Sequence, residues 1–509
     1  MLAKVRCYTL VGIDGIQVDA EVDLHSGLAS YDTVGLPDTA VKESKERIRS
    51  ALKNCGFTYP VKKITVNLAP ADVKKAGPGF DLAIAVGLLA ASDQIKGRRY
   101  KDFVIIGELS LGGEVRPVDG ILPMLISAKM QGYTRFIVPD ANSKEASFIE
   151  GIEVYAATTL RATAEFLSDE YETELRQVEY TEYVSDDTSL RRNGIDFSEV
   201  KGQSSAKRAL EIAVAGGHNV LMSGPPGAGK SMLAKCVPTI MPHMSFDEAL
   251  EVTKIHSVAG NLDVNEGIVK SRPFRTPHHT ATVVALIGGS KDCRPGEVSL
   301  AHNGVLYLDE MPEYSRSTLE TLRQPMEDGK VTVSRAIGSV DYPSRFMLIA
   351  SMNPCPCGNY GSKTAECTCS YAEIKRYQSR ISGPLLDRID LQIEVDNVSY
   401  EELTDRTATE TSDVIRARVE RARDIQRQRF ASHGIHTNAE MNNALIKRYC
   451  ALDSACEKLV ETAFRRMNLS ARGMNRILKV ARTIADLDGA DNIAVSHIAE
   501  AIQYRSTKS

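Results

Sequence analysis

Apolar and polar positions along the chain alternate in two rhythms. In the first third, short β-branched runs bounded by polar residues, at 64–68, 103–106 and 136–139, predict strands. Residues 40–53 set apolar positions at helical spacing among charges and predict an amphipathic helix. This is an α/β unit over residues 1–172. Residues 173–193 turn polar and charged and read as a linker. A second α/β unit, 194–396, carries apolar strand-like runs at 219–222, 305–308 and 346–350, with a helix starting near 232–236. Residues 330–345 read as a hairpin of two short strands around Gly338. Residues 397–509 are rich in Ala, Arg, Glu and Leu with helical periodicity and predict a helical domain, clearest at 470–487 and 496–504.

Composition changes this picture little. The 509 residues suggest two to four domains; 43% are hydrophobic and 25% charged, a globular balance with a net charge of −4. No overall basic excess announces a nucleic-acid binder, although a local basic stripe in an acidic chain still attracts phosphates. The longest apolar run, 80–91, is too short to span a bilayer, and the opening residues carry no secretory pattern. A soluble, cytoplasmic protein with no membrane partner is expected. Ten cysteines in such a chain point to free thiols and metal ligation rather than a disulfide scaffold.

The chemistry concentrates in the second unit. Gly224-Pro225-Pro226-Gly227-Ala228-Gly229-Lys230-Ser231 fits the phosphate-binding loop pattern between a predicted strand and a predicted helix. Its glycines let backbone N–H groups curl around phosphate oxygens, and the helix N-terminus adds favourable partial charge. Lys230 suits the β- and γ-phosphates of ATP, and Ser231 suits Mg²⁺. The run 305–308 ends in Asp309 and Glu310; Asp309 suits Mg²⁺ and Glu310 suits polarising a water. An apolar strand with a polar end is common, so this pair gains weight only beside the loop. Asn353, after the strand 346–350, is a candidate γ-phosphate sensor; on its own an Asn-Pro step is a turn signal.

Directly after Asn353, Cys355, Cys357, Cys367 and Cys369 could make a tetrahedral, structural Zn²⁺ site. Their spacing is tighter than usual, and four reduced thiols are the alternative. Cationic residues gather in three places: Arg335 in the hairpin; Lys270, Arg272, Arg275, His278 and His279 before it; and Arg416, Arg418, Arg421, Arg423, Arg427 and Arg429 in the helical region. Contact with a phosphate backbone is one reading. For the last cluster a solvated helix face, or ion pairs with Glu420 and Asp424, explains the arginines at least as well, and His278 and His279 are read as structural or DNA-contacting.

The combination resembles the AAA+ ATPases, and more closely their magnesium-chelatase-like branch, through residues 277–280 (PHHT), 295–304 (PGEVSLAHNG) and 385–390 (LLDRID). The long stretch from Lys230 to Asp309 is consistent with that branch's insert in the second helix. With the N-terminal unit and the tail 469–482, the chain resembles the YifB/ComM family nearly end to end. The resemblance implies that Arg388 is an arginine finger acting on a neighbouring subunit, that Arg472 is the second sensor on a helical lid, with Arg476 as the substitute, and that residues 194–203 border the adenine. It also implies a homo-oligomer, usually a hexameric ring.

Residues 1 to about 170 resemble the Lon-type proteolytic domain, but Gly79 stands where that family has serine and Leu122 where it has lysine. A Ser–Lys dyad needs both groups, so no peptidase activity is expected. The expected fold is α/β: a Lon-protease-like N-terminal domain, a P-loop AAA+ core with a helix-2 insert, and a C-terminal helical lid. The resemblance to ComM implies a DNA translocase or branch-migration helicase acting on single-stranded or branched DNA. A remodelling ATPase acting on protein or metal-insertion partners is the alternative, and a nucleotide-binding scaffold without turnover is a third, disfavoured by Asp309, Glu310 and Arg388.

Overall fold

The computed structural model describes residues 1–185, 195–263, 265–289, 293–335, 338–361, 365–404, 409–467 and 469–505. The chain opens with a long antiparallel hairpin, β1 (Leu2–Val11) and β2 (Asp14–His25). In β2 the buried positions Val18, Ala20, Val22 and Leu24 alternate with Asp and Glu, the period of a strand with one face covered. β3 (Ser30–Val34), β4 (Lys63–Ala69), β5 (Val104–Ile105), β8 (Arg135–Pro139), β9 (Glu153–Ala157) and β10 (Arg176–Val178) complete an eight-stranded sheet in the order β10-β9-β8-β5-β1-β2-β4-β3. β6 (Glu108–Leu109) and β7 (Val115–Arg116) form a separate small ribbon.

The apolar run 80–91 becomes the helix Asp81–Ala91, in which every residue is buried. It lies between β1–β2 and the amphipathic helix Thr39–Asn54, so it shows no polar stripe. The polar run read as a linker begins as structure. β10 pairs antiparallel with β9, and the Tyr183 ring packs tilted against Phe246 while its hydroxyl donates to the Met244 carbonyl. Charged side chains on an edge strand hide the pairing from a composition argument. The rest of that run, residues 186–193, lies outside the described residues.

A second sheet holds β11 (Val220–Ser223), β12 (Phe274–Arg275), β13 (Val305–Leu308), β16 (Met347–Met352) and β17 (Leu391–Glu394), all parallel, in the order β12-β13-β16-β11-β17. β13 and β16 are buried along their whole length, as expected of parallel strands covered on both faces. β14 (Lys330–Arg335) and β15 (Gly338–Pro343) form the anticipated hairpin. The two residues between them, and the Arg335 side chain, lie outside the described residues. Gly12, at the β1–β2 turn, is pressed against Val340 of β15.

After β17 come the helices Ser412–Phe430, Asn443–Tyr449, Ser454–Arg466, Ala471–Leu487 and Val495–Gln503. They share one hydrophobic core with the inner face of the second sheet, from Phe197 to Ala501. Among the described residues no helix is long and apolar enough to cross a membrane.

The insert after the phosphate loop includes the helix Phe246–Val258, which rests on the helix Ile121–Met130 of the N-terminal unit. Here Glu145 is buried across the boundary between the two units. It accepts from the Ser257 hydroxyl at 3.0 Å, the Leu122 amide at 3.3 Å and the Asn142 side-chain amide at 2.7 Å. Burial pushes its carboxyl up to about 7.

Candidate functional site

The three motifs of the second unit follow three adjacent strands. Residues 224–231 leave the carboxyl end of β11, Asp309 and Glu310 that of β13, and Asn353 that of β16. The carboxyl edge of a parallel sheet is where open α/β folds bind ligands. At Gly224 the loop passes so close to β17 that a Cβ would lie 2.0 Å from the Val395 carbonyl oxygen, so only glycine fits. Gly227 and Gly229 take φ of +80° and +87°, and their Cβ positions would face open space. Gly229 caps the eleven-residue helix Lys230–Ile240, whose first amides point into the loop.

Lys230 Nζ donates to the Gly224 carbonyl at 2.6 Å, the Pro225 carbonyl at 2.8 Å and Asn353 Oδ1 at 3.2 Å. Its burial lowers the amine's pKa below the usual lysine range. Ser231 Oγ donates to Asp309 Oδ2 at 3.0 Å. Asp309 Oδ1 accepts from the Tyr307 hydroxyl at 2.7 Å and from Ser351 Oγ at 2.5 Å. Burial pushes the Asp309 carboxyl up, but the hydroxyls of Ser351, Tyr307 and Ser231 outweigh it and hold the group below its ordinary range. Glu310 adopts φ of +50°, and its amide donates to Ser351 Oγ at 3.0 Å. That left-handed backbone, uncommon for a side chain of this size, ends the strand abruptly and leaves Glu310 exposed at the mouth of the site. Upstream, Gln203 Nε2 donates to the Ala228 carbonyl at 3.3 Å and the Asp396 carbonyl at 2.5 Å, which ties the segment before the first helix to the loop.

Tyr307 and Ser351 were not anticipated as site residues. The signal was available. Strand alternation puts Tyr307 on the side of Asp309, and Ser351 on the side of Asn353.

The structure brings together Lys230, Ser231, Asp309, Glu310 and Asn353. It does not bring the arginines there. Arg388 precedes β17, and its carbonyl accepts from Asn219, the residue before β11, at 3.0 Å. It therefore sits at the amino edge of the sheet, opposite the loop. Its guanidinium donates to the Pro384 carbonyl at 2.6 Å and pairs with Glu327. Arg472 is exposed on the first turn of the helix Ala471–Leu487, and Arg476 Nε pairs with Asp390 Oδ1 at 3.3 Å. Among the described residues, no hydrogen bond or ion pair joins either lid arginine to residues 224–231.

Most of the other cations are committed within the fold. Arg418 pairs with Glu211 and Glu410, Arg429 with Asp486, and Arg416 with Asp413; Arg427 uses the expected Asp424. Arg272 pairs with Glu248, and Arg275 grips Glu297 with two hydrogen bonds at 2.6 and 2.8 Å. His278 and His279 lie with ring centroids 4.1 Å apart. In the N-terminal unit Gly79 faces Val118, and Leu122 is buried in apolar core.

The sulfurs of Cys355, Cys357, Cys367 and Cys369 all lie within 4.8 Å of one another, a donor set that could hold a metal ion. The backbone amides of Asn359 and Thr368 draw the Cys357 thiol down to about 5.

Family models described as magnesium chelatase, subunit ChlI, match residues 196–403; as subunit ChlI of Mg-chelatase, residues 20–142; and as the ChlI C-terminal part, residues 409–505. The competence protein ComM of Haemophilus influenzae is 43% identical over 510 residues, covering 99% of this chain and 97% of that protein. The protein YifB of Escherichia coli is 40% identical, with 99% and 97% covered. The chain belongs to the YifB/ComM family of magnesium-chelatase-like AAA+ ATPases. The N-terminal unit is also similar to Lon protease 2 of Bacillus subtilis, 27% identical over 143 residues, 27% of this chain and 25% of that protein. The residues fit what an ATPase of this family needs. Added Cβ atoms at Gly227 and Gly229 would project into open space that the glycines leave free, and Asp309 and Ser231 form an oxygen donor pair of the kind Mg²⁺ takes.

Proposed function

We propose that the chain is an ATP-driven, ring-forming DNA motor, a branch-migration helicase or translocase in recombination or natural transformation. One observation carries this reading: Lys230 donates to Asn353 and Ser231 to Asp309 at a single sheet edge, in a chain similar along its whole length to a competence protein. The amides of residues 224–231 and the Lys230 amine bind the triphosphate. Ser231 and Asp309 would hold Mg²⁺, which would supply positive charge against the phosphates. Glu310, exposed and held at a fixed backbone angle, accepts the proton of the attacking water. Asn353, bonded to Lys230, touches the γ-phosphate.

The position of Arg388 supports action in trans. It lies at the sheet edge opposite its own chain's loop, so its guanidinium serves a neighbour's γ-phosphate in a hexameric ring. Arg472 supplies the lid contact, with Arg476 as the substitute. The division at 172, 193 and 396 is part of the same reading; the run of helices after β17 supports its last boundary, whereas β10 carries the first sheet past 172 into the segment read as a linker. So is an N-terminal unit without peptidase activity, since Gly79 has no nucleophile and Leu122 no amine. The motor works in the cytoplasm, apart from membranes.

The chelatase match over residues 196–403 favours a second reading, a remodelling ATPase acting on protein or metal-insertion partners. The rate of ATP hydrolysis, measured with and without single-stranded or branched DNA over a range of salt, separates the two. Stimulation by DNA that fades as salt rises is the expected result. Absence of both stimulation and salt-sensitive binding would leave the second reading standing.

A further inference from the structure

The four-cysteine loop lies between the sensor residue Asn353 and the helix Tyr371–Gln378. Three sulfur–sulfur separations are 3.3 Å (Cys355–Cys357), 3.7 Å (Cys355–Cys367) and 3.6 Å (Cys357–Cys367). A disulfide needs about 2.05 Å, so these are not bonded pairs. A tetrahedral ion with Zn–S bonds of about 2.3 Å sets its sulfurs about 3.8 Å apart, close to the observed edges. The backbone is arranged as thiolate ligands require. The Tyr360 amide donates to Cys355 Sγ at 3.3 Å, and those of Asn359 and Thr368 donate to Cys357. Cys355 is buried, and the three others are half-buried.

The same loop presses on the nucleotide loop. Gly358, at φ of +82°, lies inside the four-cysteine knuckle, and a Cβ there would meet Pro226 Cδ at 2.5 Å and Cγ at 2.8 Å. Its amide closes a turn onto the Cys355 carbonyl at 3.0 Å. On the other side, Gln378 Nε2 donates to the Pro354 carbonyl at 3.2 Å. A segment this long and this poor in apolar side chains has little of its own to hold that turn against Pro226.

We propose that Cys355, Cys357, Cys367 and Cys369 bind one zinc ion as a closed structural site, and that the metal-tied knuckle clamps the nucleotide loop through Gly358 against Pro226. Four thiolates leave no open position, so the ion is not catalytic. Zinc is favoured over an octahedral oxygen-seeking cation because all four donors are soft sulfurs. The clamp rests on residues 224–231 being the nucleotide loop; the metal site does not.

The test uses the full chain, prepared anaerobically. Metal content by mass spectrometry should give one zinc per chain, released by a thiol-reactive mercurial and chelator. No zinc after reconstitution, or iron in its place, overturns the site. A fluorescent ATP analogue then reports nucleotide affinity. Stripping the zinc should weaken binding about tenfold, and adding zinc back should restore it. Equal affinity with and without zinc overturns the clamp. Gly358→Val covers the case in which cysteine variants fail to fold: it should keep its zinc and still lose nucleotide affinity, and unchanged affinity would count against the clamp. Zinc-loaded protein that binds no nucleotide would overturn the nucleotide reading together with the clamp, while the zinc count still decides the metal site.

Discussion

At the scale of single residues, the proposed function assigns holding the nucleotide and splitting it to different groups. Lys230 is buried among carbonyls and lies beside Asn353, whereas Glu310 stands exposed at a strained backbone angle. Lys230→Ala should cost roughly 3 kcal/mol of binding, about a hundredfold in affinity, measured by nucleotide titration. Glu310→Gln should leave that affinity near wild type and lower turnover by roughly 10²- to 10⁴-fold. A Glu310→Gln protein that hydrolyses ATP normally would show that another group activates the water. Ser351 acts one step back: its hydroxyl binds Asp309 and receives the Glu310 amide. Ser351→Ala should raise the Mg²⁺ concentration for half-maximal hydrolysis by about 10- to 100-fold, a shift that mere destabilisation would not produce. Lys230, Asp309, Glu310 and Asn353 were legible because each belongs to a local motif with its own strand signal. Tyr307 and Ser351 were missed although strand alternation sets them on the side of Asp309 and Asn353, because a hydroxyl inside an apolar strand reads as core until the neighbouring strand is known.

At the scale of elements, packing decided what periodicity could not. The run 80–91 has no polar face to orient it; its place between β1–β2 and Thr39–Asn54 is set by those neighbours. The arginines of Ser412–Phe430 looked like a surface stripe, yet their partners Glu211, Glu410 and Asp486 are mostly distant in sequence. The contact between the helices Phe246–Val258 and Ile121–Met130 buries Glu145, whose carboxyl lies near 7 rather than the ordinary 4.5. Between those values the folded protein holds a proton that the unfolded chain has lost. Stability contributed by this group is therefore present below about pH 4.5 and lost as pH rises through about 7, by on the order of 3 kcal/mol at most. Melting temperatures across pH 5–8 should fall for the wild type and fall less for Glu145→Gln. An identical slope in both would locate the pH dependence elsewhere.

At the scale of the whole molecule, the open question is what completes the pocket. Arg388 lies at the wrong edge of the sheet to serve its own loop. Mixing Lys230→Ala chains with Arg388→Ala chains, each inactive alone, should restore part of the hydrolysis, because some interfaces pair an intact loop with an intact finger. No recovery in mixed assemblies would mean that Arg388 acts within its own chain or not at all. By itself the sequence determined the α/β character, the phosphate loop, the acidic strand end, the four-cysteine loop and the family. These depend on residue type at short spacing, where glycine conformations, strand periods and thiol pairs act locally. Only the tertiary structure decided that the four-cysteine loop bears on Pro226, that the insert is bolted to the N-terminal unit through Glu145, and that Arg416, Arg418 and Arg429 pair with carboxylates inside the fold. Those outcomes depend on which distant segments meet, and on the rule that a buried charge or polar atom must find a partner where the fold puts it.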